Sequence, residues 1–408
     1  MLSVEEALEQ VLSAAQSLLP QKVAARDALG LVLAEDVASD VDSPPHDKSI
    51  VDGYAIIAAD LAAGPAEFDV LEEVTAGDVP RAQVVSGAAV RIMTGAPLPE
   101  GADSVVMVEQ SEMLAGSGAG LGRVRLSPRK VTRGQNIMRR AVSMARGDRV
   151  LAAGHVLRAI ELGLLAEVGR TEVLAIPRPR LAVLATGNEL VPPSEKPAPG
   201  LIRNSNSPML VAAAQTAGAV ASDLGIARDE RRDLEQRIAE GLKADVLVLS
   251  GGVSAGVLDL VPAVLSSLGS EPIFHKIRMK PGKPLWFGVK RHGAEQTTLV
   301  FGLPGNPASS FVGFELLVRP AIARLSGRSP RASESSAQLA GEFTHRGDRP
   351  TFHPSLLAEQ GGEPLVRPLR SQGSGDLRVW VEANCLACFP AGDYSLAAGD
   401  EVRVRPLS

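Results

Sequence analysis

Residues 244–252 read ADVLVLSGG, a short apolar run that ends in a serine and two glycines. The same design recurs upstream in RLAVLATG (180–187) and downstream in TTLVFGLPG (297–305). Each run is typical of a buried β-strand that leads into a glycine-rich loop. Helical stretches lie between the runs, and this alternation favours a parallel sheet covered by helices on both faces. The runs therefore predict a three-layer α/β domain over residues 177–327.

The helical stretches of this domain carry their own start and stop signals. In SPMLVAAAQTAG, Ser207 is the expected N-cap and Gly218 the expected end of the helix. A second helix is expected between Asn306 and Gly327, with a kink at Pro320. Ligands of parallel α/β sheets bind outside the carboxyl ends of the strands. We therefore expect the glycine loops to meet at one edge of the sheet and to form a binding site there.

The segments on either side of this domain are patterned differently. Residues 41–135 contain short strand-like runs broken by glycine and proline, which we interpret as a β domain inserted into a mixed α/β domain of residues 1–40 and 136–176. After a polar linker, residues 328–408 contain alternating runs such as DLRVWVEA and DEVRVRPL. These predict a small C-terminal β domain, which we expect to be a β-barrel. The predicted fold class is a multidomain α/β chain.

Composition limits the classes of function that the chain can have. The 408 residues carry a net charge of −5 and a pI of about 5.8, which argues against a nucleic-acid partner held by bulk charge. The N-terminus has early acids and a Ser3–Glu6 capping-box pattern, so we expect a helix rather than a signal peptide. No apolar run is long enough to span a bilayer. These features favour a cytoplasmic protein without a membrane partner.

Two cysteines, Cys385 and Cys388, form the motif Cys-Leu-Ala-Cys. Such a pair can be a redox motif or half of a metal site. Its flanks look like a strand, in which residues three apart point to opposite faces, and no second pair exists to complete a zinc site. We therefore favour an ordinary strand without a disulfide, which suits a reducing cytoplasm.

The segment RMKPGKPLWFG (278–288) places Lys280 and Lys283 in a loop stiffened by two prolines. The segment is either a solvated turn or a seat for an anion. Because the chain is acidic overall, an anion site has to be local, and two ammonium groups in a stiff loop would supply it at little ordering cost.

Two glycine loops are candidates for phosphate binding. SGGVSAG (250–256) follows a buried strand, and its free N–H groups can hold phosphate, although such loops also serve only to turn the chain. Asp259 lies just beyond it, as a magnesium ligand or a helix-capping acid. GLPGNPASS (302–310) is a second anion site or an ordinary helix start. GSGAGLG (116–122) imitates a dinucleotide fingerprint, but it lacks the strand-to-helix context and is expected to be a hairpin loop.

Taken together, the motifs resemble the molybdopterin molybdenumtransferase family, the MoeA and gephyrin E-domain group, over nearly the whole chain. The resemblance is carried, in this order, by SIVDGYA, RIMTGAPLPEGADSVVMVE, GQNI, TGNEL, GLIRNSNS, LSGGVSAGVLD, MKPGKP and GLPGNPAS. It implies that residues 177–327 form a molybdopterin-binding domain within a four-domain fold.

The resemblance also implies a reaction. Members insert molybdate into adenylylated molybdopterin with release of AMP, use a divalent cation such as Mg²⁺, and leave molybdenum on the pterin dithiolene. They form an elongated homodimer, whose cleft lies between the α/β domain of one subunit and the N-terminal β domain of the other. The molybdopterin adenylyltransferase and proteins that accept the cofactor are further implied partners.

Matched motif by motif, the family's site residues fall on the following positions. The implied catalytic residues are Asp52, Glu189, Asp229, Asp259, Lys280 and Lys283, of which Asp229 and Asp259 are also the implied metal ligands. The implied substrate-binding residues are Thr94, Gly95, Ser205, Asn206, Gly251, Gly252, Ser254, Pro304, Asn306 and Ser374.

The chain also departs from the family pattern. Met138 stands where arginine is usual, Ala141 replaces a glycine, Ser143 replaces an acid, Asn204 stands where the family has aspartate, and Pro354 occupies the place of a common arginine. Loss of these charges removes groups that could hold a cation or an anion. The alternatives are therefore a weak or silent pterin-binding paralogue, a scaffold, or a tungstate-inserting homologue. A molybdopterin adenylyltransferase shares the central fold, but the additional domains argue against it.

Overall fold

The computed structural model of the chain describes residues 1–114, 121–253, 260–293, 296–330 and 334–407. Two of the implied site residues, Ser254 and Asp259, lie outside the described residues, as does most of GSGAGLG. The described chain divides into two compact units. One comprises residues 1–34, 154–158 and 172–408, and the other comprises residues 35–153 and 159–171.

The larger unit contains a six-stranded sheet. Its strands lie in the order Val220–Ala227, Arg180–Thr186, Val246–Ser250, Gln296–Leu303, Trp286–His292 and Glu271–His275. The first four strands are parallel, and the last two are antiparallel to their neighbours. The three runs that predicted a parallel sheet, 180–187, 244–252 and 297–305, all lie in its parallel part, and the antiparallel pair extends the sheet at one edge. Strands Glu271–His275 and Trp286–His292 are joined by a loop without a crossover helix, and such a connection pairs neighbours antiparallel.

Helices cover both faces of this sheet, as the strand pattern predicted. Alternate residues of each strand enter two separate hydrophobic clusters, so that Leu181 and Val183 pack on one side and Ala182 and Leu184 on the other. The helices of this region are Val4–Ala14, Asn206–Thr216, Arg231–Gly241, Leu260–Ser267, Pro307–Gly313 and Arg319–Leu325. The predicted capping box is present in the first of them, since Ser3 N donates to Glu6 Oε2 at 2.7 Å and Glu6 N donates to Ser3 Oγ at 3.1 Å.

Two details of the predicted helices differ from the structure. Ser207 is not an N-cap, because the helix begins at Asn206, and the Ser207 N–H instead donates to the side chain of Asn204. The helix that begins after Asn306 passes through a π-helical turn, Phe314–Val318, before Pro320 starts the last α-helical segment. The wider turn lets the chain continue past the proline, which lacks an N–H.

A closed five-stranded barrel follows the central domain, as expected. Its strands are Ser335–Leu339, Glu363–Pro368, Thr351–Gln360, Cys385–Phe389 and Glu401–Pro406, and a separate pair is formed by Phe343–His345 and Tyr394–Leu396. The prediction of a strand at DLRVWVEA was wrong, since Arg378–Glu382 is helical. Trp380 of this helix packs edge-on against Phe311 at 5.4 Å between ring centroids, and this tertiary contact outweighs the β-favouring valines.

The cysteine motif lies on a barrel strand, as predicted. Cys385 is buried in the barrel core and Cys388 is half-buried on another side of the strand, and both are free thiols. Burial is the main cause that raises the pKa of each thiol to about 11. Neither is therefore a reactive thiolate near neutral pH.

The larger unit also has a small sheet of Gln21–Ala24, Glu172–Ile176 and Val32–Leu33.

The smaller unit is built around a sheet in the order Ser104–Met107, Gly53–Ile56, Ala88–Ile92, Ala66–Val74, Arg123–Leu126 and Ser111–Leu114. The last two strands pair antiparallel on either side of the predicted hairpin loop. Shorter pairs are Val37–Ala38 with Arg149–Leu151, Lys48–Ser49 with Ile137–Met138, and, in the larger unit, Leu190–Val191 with Ile202–Arg203. The smaller unit also contains the helix Ala159–Glu167. Across the described residues, no helix has the length and apolar character needed to cross a membrane.

Candidate active site

The carboxyl ends of three parallel strands open into a cavity of about 440 Å³, the acidic cavity. Thr186, Ser250 and Pro304 mark where the strands end, and Glu189 and Asp229 supply carboxylates. Among the described residues that line it, none is basic. The remaining lining residues are Gly187, Leu190, Ile202, Asn206, Gly251, Gly252, Val253, Leu260, Pro284, Gly305 and Asn306.

Glycine is required at two positions of this cavity. Gly251 and Gly252 have φ of 97° and 62°, a region that side chains disfavour. A Cβ on Gly251 would lie 2.5 Å from the carbonyl oxygen of Thr186, and one on Gly252 would lie 2.6 Å from Val261 Cγ2. The loop therefore brings bare backbone to the cavity wall, as a phosphate-binding loop needs.

Two buried oxygens at this cavity have no hydrogen-bond partner in the described part of the chain, namely Thr186 Oγ1 and Asn206 Oδ1. The amide nitrogen of Asn206 is satisfied twice, since it donates to Ser250 Oγ and to Gly305 O, each at 2.7 Å. These bonds fix the amide with its oxygen left over. Unpaired buried acceptors are costly, so both oxygens are candidates for a donor or a cation brought by a ligand.

A second cavity of about 380 Å³, the basic cavity, lies where the loop of residues 276–285 meets the barrel. Lys280, His345, Arg346 and His353 are its basic or titratable residues, and no aspartate or glutamate occurs among its described lining residues. Its other lining residues are Pro281, Ala308, Phe343, Thr344, Thr351, Phe352, Pro354, Ser371, Gly373, Ser374 and Trp380. The excess of positive charge makes it a candidate site for an anion.

The backbone on both sides holds the loop at this position. Lys280 N donates to Pro350 O at 2.9 Å, and Lys280 O accepts from Phe352 N at 2.8 Å. Within the loop, Lys283 O accepts from both Ile277 N and Leu285 N at 3.1 Å. Lys280 is thereby fixed against the barrel. Its neighbour Pro281 lines the basic cavity and Pro284 lines the acidic one.

A direct side-chain bond joins the walls of the two cavities. Asn306 of the acidic cavity donates from Nδ2 to Oγ of Ser374, which lines the basic cavity, at 2.8 Å. Ser374 O also accepts from Ala308 N at 3.1 Å. Asn306 precedes the helix Pro307–Gly313 and makes no side-chain cap, and its amide nitrogen is the group that donates to Ser374. The two cavities thus share a loop and a hydrogen bond.

Comparison with known proteins places this arrangement in a family. Three family descriptions match successive parts of the chain: "MoeA N-terminal region (domain I and II)" at residues 2–169, "Probable molybdopterin binding domain" at 182–324 and "MoeA C-terminal region (domain IV)" at 336–407. A Bacillus subtilis (strain 168) protein named molybdopterin molybdenumtransferase is 33% identical over 407 residues, which cover 98% of this chain and 93% of that protein. The chain belongs to the molybdopterin molybdenumtransferase family.

Other members agree with this assignment. A Staphylococcus aureus (strain Mu50 / ATCC 700699) protein of the same name is 33% identical over 411 residues, covering 98% of this chain and 94% of that protein. A solved structure of a molybdopterin biosynthesis MoeA protein from Pyrococcus horikosii matches with a TM-score of 0.82 at 32% identity, covering 100% of this chain and 99% of that chain. The central sheet domain and the C-terminal barrel are therefore the MoeA fold.

The structure brings most of the site residues implied by the family together in the larger unit. The acidic cavity collects Glu189, Asn206, Asp229, Gly251, Gly252, Pro304 and Asn306, and the basic cavity collects Lys280 and Ser374. Lys283 is exposed and Ser205 is half-buried, and neither lines either cavity.

The remaining implied residues lie in the smaller unit. Thr94 donates to Asp52 Oδ1 from both its backbone N–H and its hydroxyl, each at 2.7 Å. The backbone bond and then the hydroxyl bond lower the pKa of Asp52 below its ordinary value, so the carboxylate is ionised near neutral pH. Gly95 follows with φ of 86° and donates to Ser49 O.

Sequence reasoning missed the histidines and the arginine of the basic cavity, as well as Thr186 in the acidic cavity. Thr186 could have been found, because it ends the first buried strand in RLAVLATG. His353 stands directly before Pro354, which occupies the place of the arginine that is common in the family. His345 and Arg346 carry no motif and reach the cavity only through the folding of the barrel.

The departures from the family pattern have structural roles in this member. Ala141 adopts φ of 59°, so it keeps a backbone conformation that favours glycine. Asn204 is buried and bonds twice to Ser207, accepting from its N–H and donating to its hydroxyl. Ser143 N bonds to Ser43 O, and Met138 pairs with Lys48 in a strand. Pro354 lines the basic cavity.

Proposed function

We propose that this chain inserts molybdate into adenylylated molybdopterin, with release of AMP, in the biosynthesis of the molybdenum cofactor. Its family membership supports the reaction class. The observation that carries the proposal is the pair of cavities of opposite charge, which share the loop of residues 276–285 and the Asn306–Ser374 hydrogen bond. The reaction needs an oxyanion and a nucleotide-linked pterin bound side by side, and the two cavities supply two adjoining binding sites.

The basic cavity is the proposed molybdate seat. Molybdate is a small tetrahedral dianion, and Lys280 offers it a point charge on a loop held by backbone bonds to Pro350 and Phe352. The Ser374 hydroxyl accepts from Asn306, so its proton is free to be donated to an oxyanion. A preorganised set of donors binds an anion with little reordering.

The acidic cavity is the proposed seat of the pterin phosphate and its link to AMP. Gly251 and Gly252 present backbone to it, while Glu189 and Asp229 would repel phosphate unless a cation lies between them. Magnesium prefers oxygen ligands, and the unpartnered oxygens of Thr186 and Asn206 are of this kind. Within the described chain, no group of three or more His, Cys, Asp or Glu side chains is placed to hold a metal ion.

As the family resemblance implies, we assign the proposed Mg²⁺ to Asp229, which lines the acidic cavity together with Glu189, and to Asp259. When bound, the ion would neutralise charge on the phosphate oxygens as the pyrophosphate link is cleaved. The residues of the chain position the link: the glycine loop holds phosphate, and Asn306 connects that loop region to Ser374 in the molybdate seat.

The overall change is balanced. Two dithiolene sulfurs take the place of two molybdate oxygens, and cleavage of the link between the two phosphates adds one oxygen to phosphorus. The products are the molybdenum-loaded pterin, AMP and one water, and molybdenum keeps its oxidation state. The chain therefore has to supply charge neutralisation and alignment, and no redox partner is required.

The wider setting of the reaction is also part of the proposal. Asp52, held by Thr94, is proposed to belong to the active cleft of a homodimer, as the family resemblance implies. The proposed partners are the molybdopterin adenylyltransferase, which makes the substrate, and proteins that accept the product. A cytoplasmic location is supported by two free thiols of raised pKa.

A second candidate function is that of a weak or silent pterin-binding paralogue. It is favoured by Pro354 in the basic cavity and by Asn204, two residues before Asn206 of the acidic cavity, since each stands where a charged group is usual in the family. Under this alternative, the acidic cavity binds the pterin and the basic cavity fails to hold molybdate.

One assay separates the two candidates. The purified protein is incubated with adenylylated molybdopterin, Mg²⁺ and increasing molybdate, and AMP release and formation of active cofactor are both measured. The transferase proposal predicts that both rise together with molybdate. Tight pterin binding without release of AMP would overturn it in favour of the silent paralogue, and a parallel series with tungstate measures the choice of oxyanion.

A further inference from the structure

His353 lies in the basic cavity beside the loop that carries Lys280. It belongs to the barrel strand Thr351–Gln360, whose first residues bond to the Lys280 backbone. The imidazole is wedged edge-on against the aromatic rings of Phe343 and Phe389, at 5.4 Å and 6.3 Å between centroids. The ring is therefore held in place by packing rather than left to rotate in solvent.

Its hydrogen bond determines which nitrogen remains available. Nδ1 lies 2.9 Å from the carbonyl oxygen of Pro354, which can only accept, so Nδ1 carries a proton and donates it. Nε2 has no hydrogen-bond partner among the residues that the structure describes. A second proton at Nε2 would make the ring a cation and a donor.

Burial, together with the charge of Lys280, favours the neutral form of the His353 ring in the empty cavity. Burial lowers the pKa of His353, the bond to Pro354 opposes this effect, and the charge of Lys280 lowers the pKa further. The other titratable or charged groups of the cavity are His345 and Arg346, from the facing strand pair and its turn. His345 is itself engaged on both nitrogens, with Gly392 O at 2.6 Å and Thr351 Oγ1 at 2.8 Å. Of the two histidines that line the basic cavity, His353 is therefore the one with a ring nitrogen, Nε2, that is available to a ligand.

We propose that His353 is a ligand of the oxyanion in the basic cavity, and that it takes up one proton at Nε2 when the anion binds beside Lys280. The inference rests on the proposed function and identifies how the same site obtains a positive charge in addition to those of Lys280 and Arg346. A dianion reverses the electrostatic balance around the ring, because it attracts the charged imidazole more strongly than Lys280 repels it.

The sign of the pH dependence follows. In the empty cavity the proton is disfavoured, and in the occupied cavity it is favoured, so binding and protonation assist each other. Affinity for molybdate is expected to rise as the pH falls through the range between the two pKa values, by up to about tenfold per pH unit for one proton. Above that range the affinity should level off at a value set by Lys280, Arg346 and the neutral donors.

The test measures half-saturating molybdate in the AMP-release assay between about pH 6 and 9, where histidine titrates. The wild-type protein is compared with His353→Gln, His353→Arg and a control, His292→Gln, an exposed histidine that lines neither cavity. We expect a sloped profile for the wild type and the control, and flat profiles for both His353 variants. His353→Gln should match the weak, high-pH limit of the wild type, and His353→Arg should stay tight at high pH.

Titration calorimetry of molybdate into the wild-type protein, in two buffers of different ionisation enthalpy, counts the protons directly. Uptake of a proton is expected, and its absence would overturn the proposal even if the variants failed to fold. A His353→Gln profile as steep as that of the wild type would overturn it as well. Failure of the proposed function is distinct, because the wild type would then show no molybdate-dependent AMP release at any pH.

Discussion

The basic and acidic cavities lie on either side of one loop, yet their walls carry opposite charges. Lys280 and Pro281 face the first, which has no described acid, and Pro284 faces the second, which has Glu189 and Asp229 and no described base. An anion can enter the first cavity unaided. A phosphate can enter the second only with a cation. Under the proposed function, two anionic substrates therefore need not compete for one site, because only the phosphate would be bound through a metal ion.

Removal of the divalent cation tests this difference and should have the largest effect. With Mg²⁺ chelated, we expect AMP release to fall by more than about a hundredfold, since uncompensated carboxylates and phosphates share the acidic cavity. Molybdate bound to the protein, measured by equilibrium dialysis, should remain unchanged in the same preparation. If chelation abolished molybdate binding too, the two cavities would not be independent in the way proposed here.

Substitution of Lys280 should have the next largest effect, on the molybdate requirement. Lys280→Ala should raise half-saturating molybdate about tenfold or more, because it removes a charge-assisted contact to a dianion, and should leave half-saturating adenylylated molybdopterin nearly unchanged. Lys243→Ala is the matched control, since Lys243 is an exposed lysine ion-paired with Glu240 that lines neither cavity. Lys283→Ala should have a smaller effect than Lys280→Ala, and the reverse order would contradict the assignment of the loop.

The Asn306–Ser374 bond is the place where the two cavities can influence each other. Ser374→Ala should lower the affinity for molybdate about fivefold, which corresponds to the loss of one hydrogen bond. Because Asn306 then loses its acceptor, a smaller loss of pterin affinity should accompany it. A double-mutant cycle with Asn306→Ala measures the coupling. Strict additivity of the two changes would show that the bond does not connect the sites.

Substitution of Ala141, which lines neither cavity, should have a small effect on the stability of the protein. Since its φ is 59°, Ala141→Gly should relieve backbone strain and stabilise the protein by about 0.5 to 1 kcal/mol, after allowance for the greater freedom of glycine in the unfolded chain. Urea unfolding measures this gain. Half-saturating molybdate and half-saturating adenylylated molybdopterin should both stay unchanged. A change in half-saturating molybdate would contradict the placement of Ala141 outside the site.

The acidic cavity was largely predictable from the sequence, and the basic cavity was not. Buried strands that end in glycine loops meet at one edge of a sheet by the rules of α/β topology, so Gly251 and Asn306 could be placed together. The basic cavity is assembled from Lys280, the barrel strands and the segment around Ser374, which are far apart in sequence. Only the docking of the barrel on the loop brings them into contact.

Two differences between the predicted and observed elements have different physical origins. DLRVWVEA alternates like a strand, yet it forms a helix because Trp380 packs on Phe311 of the central domain. Strands Glu271–His275 and Trp286–His292 are antiparallel because the loop of residues 276–285 joins them without a crossover helix. The first difference depends on a long-range contact and the second on the form of a local connection, and neither is visible in the alternation of apolar residues.

A crossed titration of two variants tests the central claim most directly. Half-saturating molybdate and half-saturating adenylylated molybdopterin are both measured for Lys280→Ala and for Gly251→Ala, whose added Cβ would meet the Thr186 carbonyl at 2.5 Å. The account predicts that Lys280→Ala shifts only the molybdate requirement and that Gly251→Ala shifts only the pterin requirement, by about a hundredfold for a displaced loop. If both variants shifted the same substrate, the assignment of one cavity to each substrate would be wrong.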